Sequence, residues 1–265
     1  MTRIAWLTDI HLDFVPLAAT KLLFDRAFAE RPAGVVVTGD ISESRVLFYH
    51  LRLLAAAATC PVYFVLGNHD FYASSIAAVR RQTAALCGEL PVLTYLTAAE
   101  VVELSPTLGL VGHDGWADAR LGDYENSEVM LNDFFLIEEL AHLEKLERRR
   151  RLEALGDEAA AHVRRWLPVA LARYPQVLVA THVPPFREAC RYQGRPSDEN
   201  WLPHFSCRAM GDALLEAAAA APNTQVAVLC GHTHGGAECR PLVNLCVLTG
   251  EAVYQRPRVQ QVLEW

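Results

Sequence analysis

The chain has 265 residues, 52% of them apolar and 21% charged, with a formal net charge of −7 at pH 7. That apolar share supplies a sizeable globular core, and the negative balance excludes a protein that coats nucleic acid through a broad basic surface. Seven cysteines, at 60, 87, 190, 207, 230, 239 and 246, are scattered, odd in number and never paired as C-x-x-C, which argues against a disulfide scaffold and for a reducing compartment.

The N-terminal stretch "MTRIAWLTDIHLDF" meets Asp9 early and lacks the apolar segment of a secretory signal. No run approaches the ~18–20 apolar residues of a membrane span, so the expectation is a cytoplasmic protein without a membrane partner. Five short apolar runs read as buried strands. The first is "RIAWLTD" (3–9), followed by an amphipathic helix over about 17–31 that stops near Pro32. The second, "GVVVTGD" (34–40), leads to a helix over about 44–58 before Pro61, and the third is "VYFVLGN" (62–68). This β-α-β alternation predicts parallel strands joined by right-handed crossovers.

Strands at 101–104 and 108–112 follow without a long helix between them, then the loop "GHDGWADARLGDYEN" (112–126). Apolar residues at 136, 140, 143 and 146 predict an amphipathic helix ended by Gly156, with Asp157 as N-cap of a second helix. Together they form a helical excursion over about 126–172. The fourth and fifth runs are "VLVATH" (177–182) and "VAVLCGH" (226–232), and strands at 242–249 and 258–264 close the chain. The strands outside the five runs predict a second, mixed sheet packed on the first. With no repeat or linker, the expectation is one α/β domain over 1–265.

The residues that end the five runs share a chemistry. The first gives Asp9 and His11, the second Asp40, the third Asn68 and His69, the fourth His182, the fifth His232 and His234. All fall at carboxyl ends, where open α/β sheets place ligand sites. Each has an ordinary reading alone: Asp40 and Asn68 follow glycines and suit turns, and a lone histidine suits a hydrogen-bonded core position. Five coincidences at five strand ends are better read as one metal site.

The series "DIH", "GD", "GNHD", "TH" and "GHTH" closely resembles the calcineurin-like metallophosphoesterases, from residue 9 to 236. The resemblance implies a four-layer α/β/β/α sandwich of two mixed sheets with a dinuclear centre. By position, Asp9, His11 and His234 bind one metal, Asn68, His182 and His232 the other, and Asp40 bridges. A sulfur-free set suits Mn²⁺, Fe²⁺ or Zn²⁺, and two such ions activate a shared water for attack on phosphorus. The resemblance makes His69 the proton source for the leaving group, with Asp70 beside it to orient it.

The protein-phosphatase signatures G-D-x-H-G and G-D-x-x-D-R-G are absent, replaced by "TDIHLD" and "GDISES". These forms look more like the bacterial branch that includes class III cyclic nucleotide phosphodiesterases. The favoured substrate is a small phosphodiester; a phosphomonoesterase or protein phosphatase, a nuclease and a non-catalytic scaffold of the same fold stand as alternatives. His113, Trp116, Asp118, Arg120 and Tyr124 are candidates to line the substrate pocket, the alternative being a loop packed by its own aromatics. Arg187, Arg191 and Arg195 are candidate phosphate contacts. The run "RRRR" at 148–151 reads as the solvated end of a helix, and His50, His142 and His162 read as solvated surface residues.

Overall fold

The computed structural model describes all residues, Met1–Trp265. The first half runs β1 (Arg3–Leu7), α1 (Leu17–Ala29), β2 (Gly34–Thr38), α2 (Ser44–Ala57), β3 (Val62–Val65), α3 (Ile76–Glu89), β4 (Leu93–Tyr95), β5 (Val102–Ser105) and β6 (Leu108–Gly112). The second half continues with α4 (Asp133–Leu136), α5 (Lys145–Arg173), β7 (Gln176–Ala180), the small hairpin β8 (Arg191–Tyr192) and β9 (Arg195–Pro196), α6 (Leu202–Phe205) and α7 (Arg208–Ala220). It ends with β10 (Gln225–Cys230), β11 (Ala237–Leu242), β12 (Leu245–Thr249) and β13 (Gln261–Glu264).

Two mixed sheets result. The first has the order β13-β1-β2-β3-β4, with β1 to β4 parallel and β13 antiparallel along β1. The second has the order β11-β12-β10-β7-β6-β5, parallel through its centre with an antiparallel strand at each edge. The five apolar runs are therefore divided between the sheets: three in the first, two in the second. The terminal strand joins the first sheet and not the expected second, and 242–249 is split between β11 and β12.

Alternation along the strands explains the four layers. Ile4, Trp6, Val36 and Val65 meet Leu110, Leu178, Ala180 and Leu229 between the sheets. Ala5, Leu7, Val35, Val37 and Phe64 face outward under α1, α2 and α3. Val177, Val179, Val226 and Val228 face outward under α5 and α7. Strands covered on both faces need apolar residues at every position, hence the unbroken runs. No helix is long and apolar enough to cross a membrane.

The helical excursion differs from its expected form. Residues 137–144 are not helical, and α5 runs unbroken from Lys145 through Gly156 and Pro168. The left-handed backbone at His142 interrupts the first part. Glu139 is drawn away to accept the free N–H groups of Ile76 and Ala77 at the start of α3, so a tertiary cap outweighs local periodicity. Gly156 is a close approach, not a stop: a Cβ there would meet the Asp118 Cβ at 2.5 Å. The arginines 148–151 consequently sit near the start of α5, where the helix dipole disfavours cations. Arg149 is offset by Glu125 and Glu153, and Arg148 lies 4.2 Å over the Phe134 ring.

Candidate metal centre

Parallel strands of both sheets end at one rim, so β1, β2, β3, β7 and β10 deliver their following residues to a single place. Backbone bonds stitch the loops together: Asp9 N–H to the Gly39 carbonyl, His11 N–H to Asp40, and Gly231 N–H to His182. Five of the seven ligand candidates have left-handed backbones, with φ of 48° at Asp9, 38° at His11, 51° at Asp40, 71° at His232 and 57° at His234. Each such residue costs on the order of 1–3 kcal/mol and persists only where its surroundings over-determine it. At Gly231 a side chain would run into the Asp9 carboxylate and the Thr8 hydroxyl. The rim is built for close approach.

Two groups of ligand atoms form there. Asp9, His11, Asp40 and His234 bring their ligand atoms within 4.8 Å of one another and could hold one ion. His11 Nε2 lies 3.1 Å from His234 Nε2 and 3.7 Å from Asp40 Oδ2. In the second group, Asn68 Oδ1 lies 3.1 Å from His182 Nε2 and 3.0 Å from His232 Nδ1. Asp40 touches both groups, its Oδ1 lying 3.4 Å from His182 Nε2.

Hydrogen-bond roles decide what the second group can bind. His182 Nδ1 donates to the Thr38 carbonyl at 2.8 Å, and His232 Nε2 donates to the His204 carbonyl at 2.9 Å. In the neutral tautomers these bonds select, each ring's other nitrogen offers a lone pair toward Asn68. Asp133 Oδ1 accepts from both Asn68 Nδ2 and the Tyr72 hydroxyl, each at 2.8 Å, with Asp133 itself buried. That fixes the Asn68 amide with its oxygen toward the two imidazoles. Three acceptors thus converge with no hydrogen to share, an arrangement that a cation satisfies.

The electrostatics agree. Burial would raise Asp9, but its contact with His234 and the surrounding imidazoles outweigh that and hold it below the usual carboxylate range. Burial, and then the Asp9 charge, push Asp40 well above that range. Burial holds His11 well below the ordinary imidazole value and brings His232 to about 3, whereas at His234 the Asp9 carboxylate overcomes burial and raises it. A carboxylate destabilised by its carboxylate neighbour, beside His11 and His232 rings that burial holds neutral, is an arrangement that divalent cations stabilise.

His69 stands beside these groups in a single 3₁₀ turn, His69–Phe71, its ring centroid 4.6 Å from His11 and 4.4 Å from Tyr72. Burial, with His182 adding to it, lowers it to about 4. Asp70 makes no hydrogen bond to that ring. Its Oδ1 accepts from the Ile41 and Ser42 N–H groups and its Oδ2 from Gly67 N–H, tying the loop after β2 to the loop after β3. The placement corrects the expected orienting contact.

A cleft of about 800 Å³ opens over the centre, lined by Asp40, Asn68, His69, His232 and His234 at its floor. Most of the expected substrate contacts lie elsewhere. His113 is buried 3.8 Å from Glu158, Trp116 packs 5.7 Å from Phe71, and Arg120 pairs with Asp118 and Asp157. Tyr124 is buried, so the 112–126 loop is packed by its own aromatics. Arg187 pairs with Glu199, and Arg191 donates to the Gly194 carbonyl. Of the expected arginines, Arg195 lines the cleft. His50 is buried with its Nδ1 2.9 Å from the Ser42 hydroxyl, and His162 is half-buried against His113; neither is a solvated surface group.

Other cleft residues carry no local signal in the sequence: Asp133 and Leu131 from the excursion, Tyr192 and Trp201, and Tyr254 beyond β12. Of the excursion, the residues about 131–133 reach the mouth, while α5 covers the outer face of the second sheet.

A family model for calcineurin-like phosphoesterases matches residues 2–236. Among solved structures, the chain is similar to a phosphopantetheinyl hydrolase from Mycobacterium tuberculosis, with TM-score 0.69 and 15% identity over 96% of this chain and 90% of that one. It is similar to a dimetal phosphatase from Danio rerio, with TM-score 0.59 and 18% identity over 97% and 89%. A Thermus thermophilus protein, TT1561, gives TM-score 0.51 and 16% identity over 94% and 89%. No curated protein matches by sequence.

Proposed function

The chain belongs to the calcineurin-like phosphoesterase family and is a metal-dependent phosphoester hydrolase, and from that premise we propose that its substrate is a small phosphodiester. Asp9, His11 and His234 hold one divalent ion, Asn68, His182 and His232 the other, and Asp40 serves both. The observation that carries the metal assignment is the convergence of Asn68 Oδ1, His182 Nε2 and His232 Nδ1, all acceptors, about a common point. The nitrogen and oxygen donor set, free of sulfur, suits Mn²⁺, Fe²⁺ or Zn²⁺. Such a pair supplies an activated water and charge neutralisation at the phosphoryl oxygens.

The protein's own groups do the rest. His69 lines the cleft without belonging to either ligand group, and delivers a proton to the departing oxygen. Burial, with His182 adding to it, keeps its ring neutral in the free protein, and an anionic ester bound beside it would favour the protonated form. Asp70 holds the Asp40 and Asn68 loops in register through its three N–H contacts.

Charge supports the diester. Arg195 is the single Lys or Arg in the cleft lining, and it shares the wall with Asp198. That suits one negative charge better than the two of a monoester or the many of a polynucleotide. The test is kcat/KM at fixed metal and salt for bis-p-nitrophenyl phosphate, p-nitrophenyl phosphate, cyclic nucleotides, a phosphopantetheinyl ester and single-stranded DNA. Small diesters should lead. A monoester, phosphopeptide or oligonucleotide outrunning them tenfold overturns the reading.

A further inference from the structure

Aromatic rings flank the ligand cluster on both sides. Beside Asp9, His11 and His234 stands Tyr254, its ring centroid 4.6 Å from His11 and 5.1 Å from His234. Its segment is tethered by the Ala252 N–H to the His234 carbonyl and lies outside the matched stretch 2–236. On the other flank, Phe205 sets its edge against His232 at 5.3 Å, and Trp201 stacks on Phe205 at 5.2 Å with the planes 24° apart. Trp201 is 40% exposed and Tyr254 44%, yet both line the cleft. They leave aromatic surface at the site without closing the core. Arg195, in the same lining, makes no ion pair or side-chain hydrogen bond within the protein.

A phosphodiester carries an organic arm on each side of phosphorus; a monoester carries one. We infer that the two aromatic walls receive the two arms of the substrate, and that the arm meeting Trp201 bears a planar aromatic group. The inference rests on the diester reading above. His69 lies on the Tyr254 flank, 6.3 Å from that ring, so the departing alcohol leaves along Tyr254. In the reaction water's oxygen bonds to phosphorus and the opposite P–O bond breaks. One proton of that water ends on the departing oxygen, the other on the new monoester or in solvent, and the monoester product keeps the arm on Trp201.

Two esters with one leaving group isolate that arm: phenyl 4-nitrophenyl phosphate and methyl 4-nitrophenyl phosphate. With kcat/KM normalised to the uncatalysed rates, the phenyl ester should be favoured about fivefold to tenfold, mostly through KM, the scale of one aromatic stacking contact. Trp201→Ala should bring the ratio to within about twofold of unity, and Trp201→Phe should retain most of it. Independently of turnover, diphenyl phosphate titrated into the metal-loaded protein should quench tryptophan fluorescence, and Trp201→Phe should remove the quench. Equal native kcat/KM for the two esters, or a ratio unchanged in Trp201→Ala, overturns the stacking arm while leaving a diesterase. Phenyl phosphate outrunning both esters tenfold overturns the diester reading itself.

Discussion

The floor and the walls of the cleft are made by different kinds of chain. The floor is a set of residues two to four positions beyond buried parallel strands, held by neighbouring loops, with strained backbones at Asp9, His11, Asp40, His232 and His234. The walls come from irregular stretches: Leu131 to Asp133, the hairpin around Gln193, Trp201 in its loop, and Tyr254 beyond β12. Strand ends cannot move without dislocating both sheets, whereas wall residues change without disturbing a core layer. The proposed function assigns chemistry to the floor and substrate choice to the walls, and variants at each level test that division.

The largest effect is expected at Asp40, whose carboxylate lies beside imidazoles of both ligand groups. Asp40→Ala should lower metal content below two ions per chain and reduce kcat/KM by about 10⁴-fold or more, as the charge stabilisation at phosphorus is lost. Chelation of the native protein should abolish hydrolysis in the same way. Elemental analysis is the check; full occupancy in the variant contradicts a shared carboxylate.

His69 separates binding from chemistry within the floor. His69→Ala should keep its metals and lose roughly 10²–10⁴ in kcat for poor leaving groups, the usual scale of general acid catalysis. The defect should shrink for p-nitrophenol, which departs without a proton. Equal losses across leaving groups would remove the proton-donor role.

How much of this was legible in the sequence follows the same division. Asp9, His11, Asp40, Asn68, His182, His232 and His234 stand out because each follows an apolar run at a fixed short distance, a relation that one strand imposes locally. Trp201, Tyr254 and Asp133 have no such marker, for their place depends on loops that meet only in the folded chain. The same limit applies to Gly156, which resembles a helix stop but is kept small by Asp118. It applies also to Glu139, whose capping of α3 is invisible to periodicity. Trp116 and Arg120 sit near enough to a strand end to look like site residues, although packing and ion pairs consume them.

Asp133 is where a wall segment reaches into the floor, so it can break the division. Its carboxylate holds the Asn68 amide and makes no hydrogen bond to the other ligand candidates. Asp133→Ala should weaken binding of the ion at Asn68, His182 and His232 by about ten- to hundredfold, the usual cost of losing a group that orients a ligand. Calorimetric Mn²⁺ titration should show one weakened and one nearly unchanged site. If both sites keep their affinity, the walls have no hold on the floor.

The smallest expected effect lies behind both, and it sharpens the comparison by separating stability from chemistry. His162 on α5 has a buried Nε2 without a partner and packs against His113, 5.2 Å between ring centroids. Burial, with His113 and Arg165 adding to it and Asp114 opposing, lowers it to about 4. In the unfolded chain it titrates near the ordinary value of about 6.5. As pH falls through that value the unfolded state takes up a proton that the folded state refuses until about pH 4, so stability is full above pH 6.5 and declines between the two. The whole shift corresponds to about 3 kcal/mol, which the group's partial exposure trims to about 1–2 kcal/mol. His50 and His204 are lowered by burial as well and contribute in the same direction. His162→Leu should therefore reduce the stability lost between pH 7 and 5 in urea unfolding without abolishing that loss, and should leave the leaving-group dependence of kcat unchanged. An unaltered acid slope would place the pH sensitivity wholly in other groups, and a changed leaving-group dependence would show that α5 acts on the floor after all.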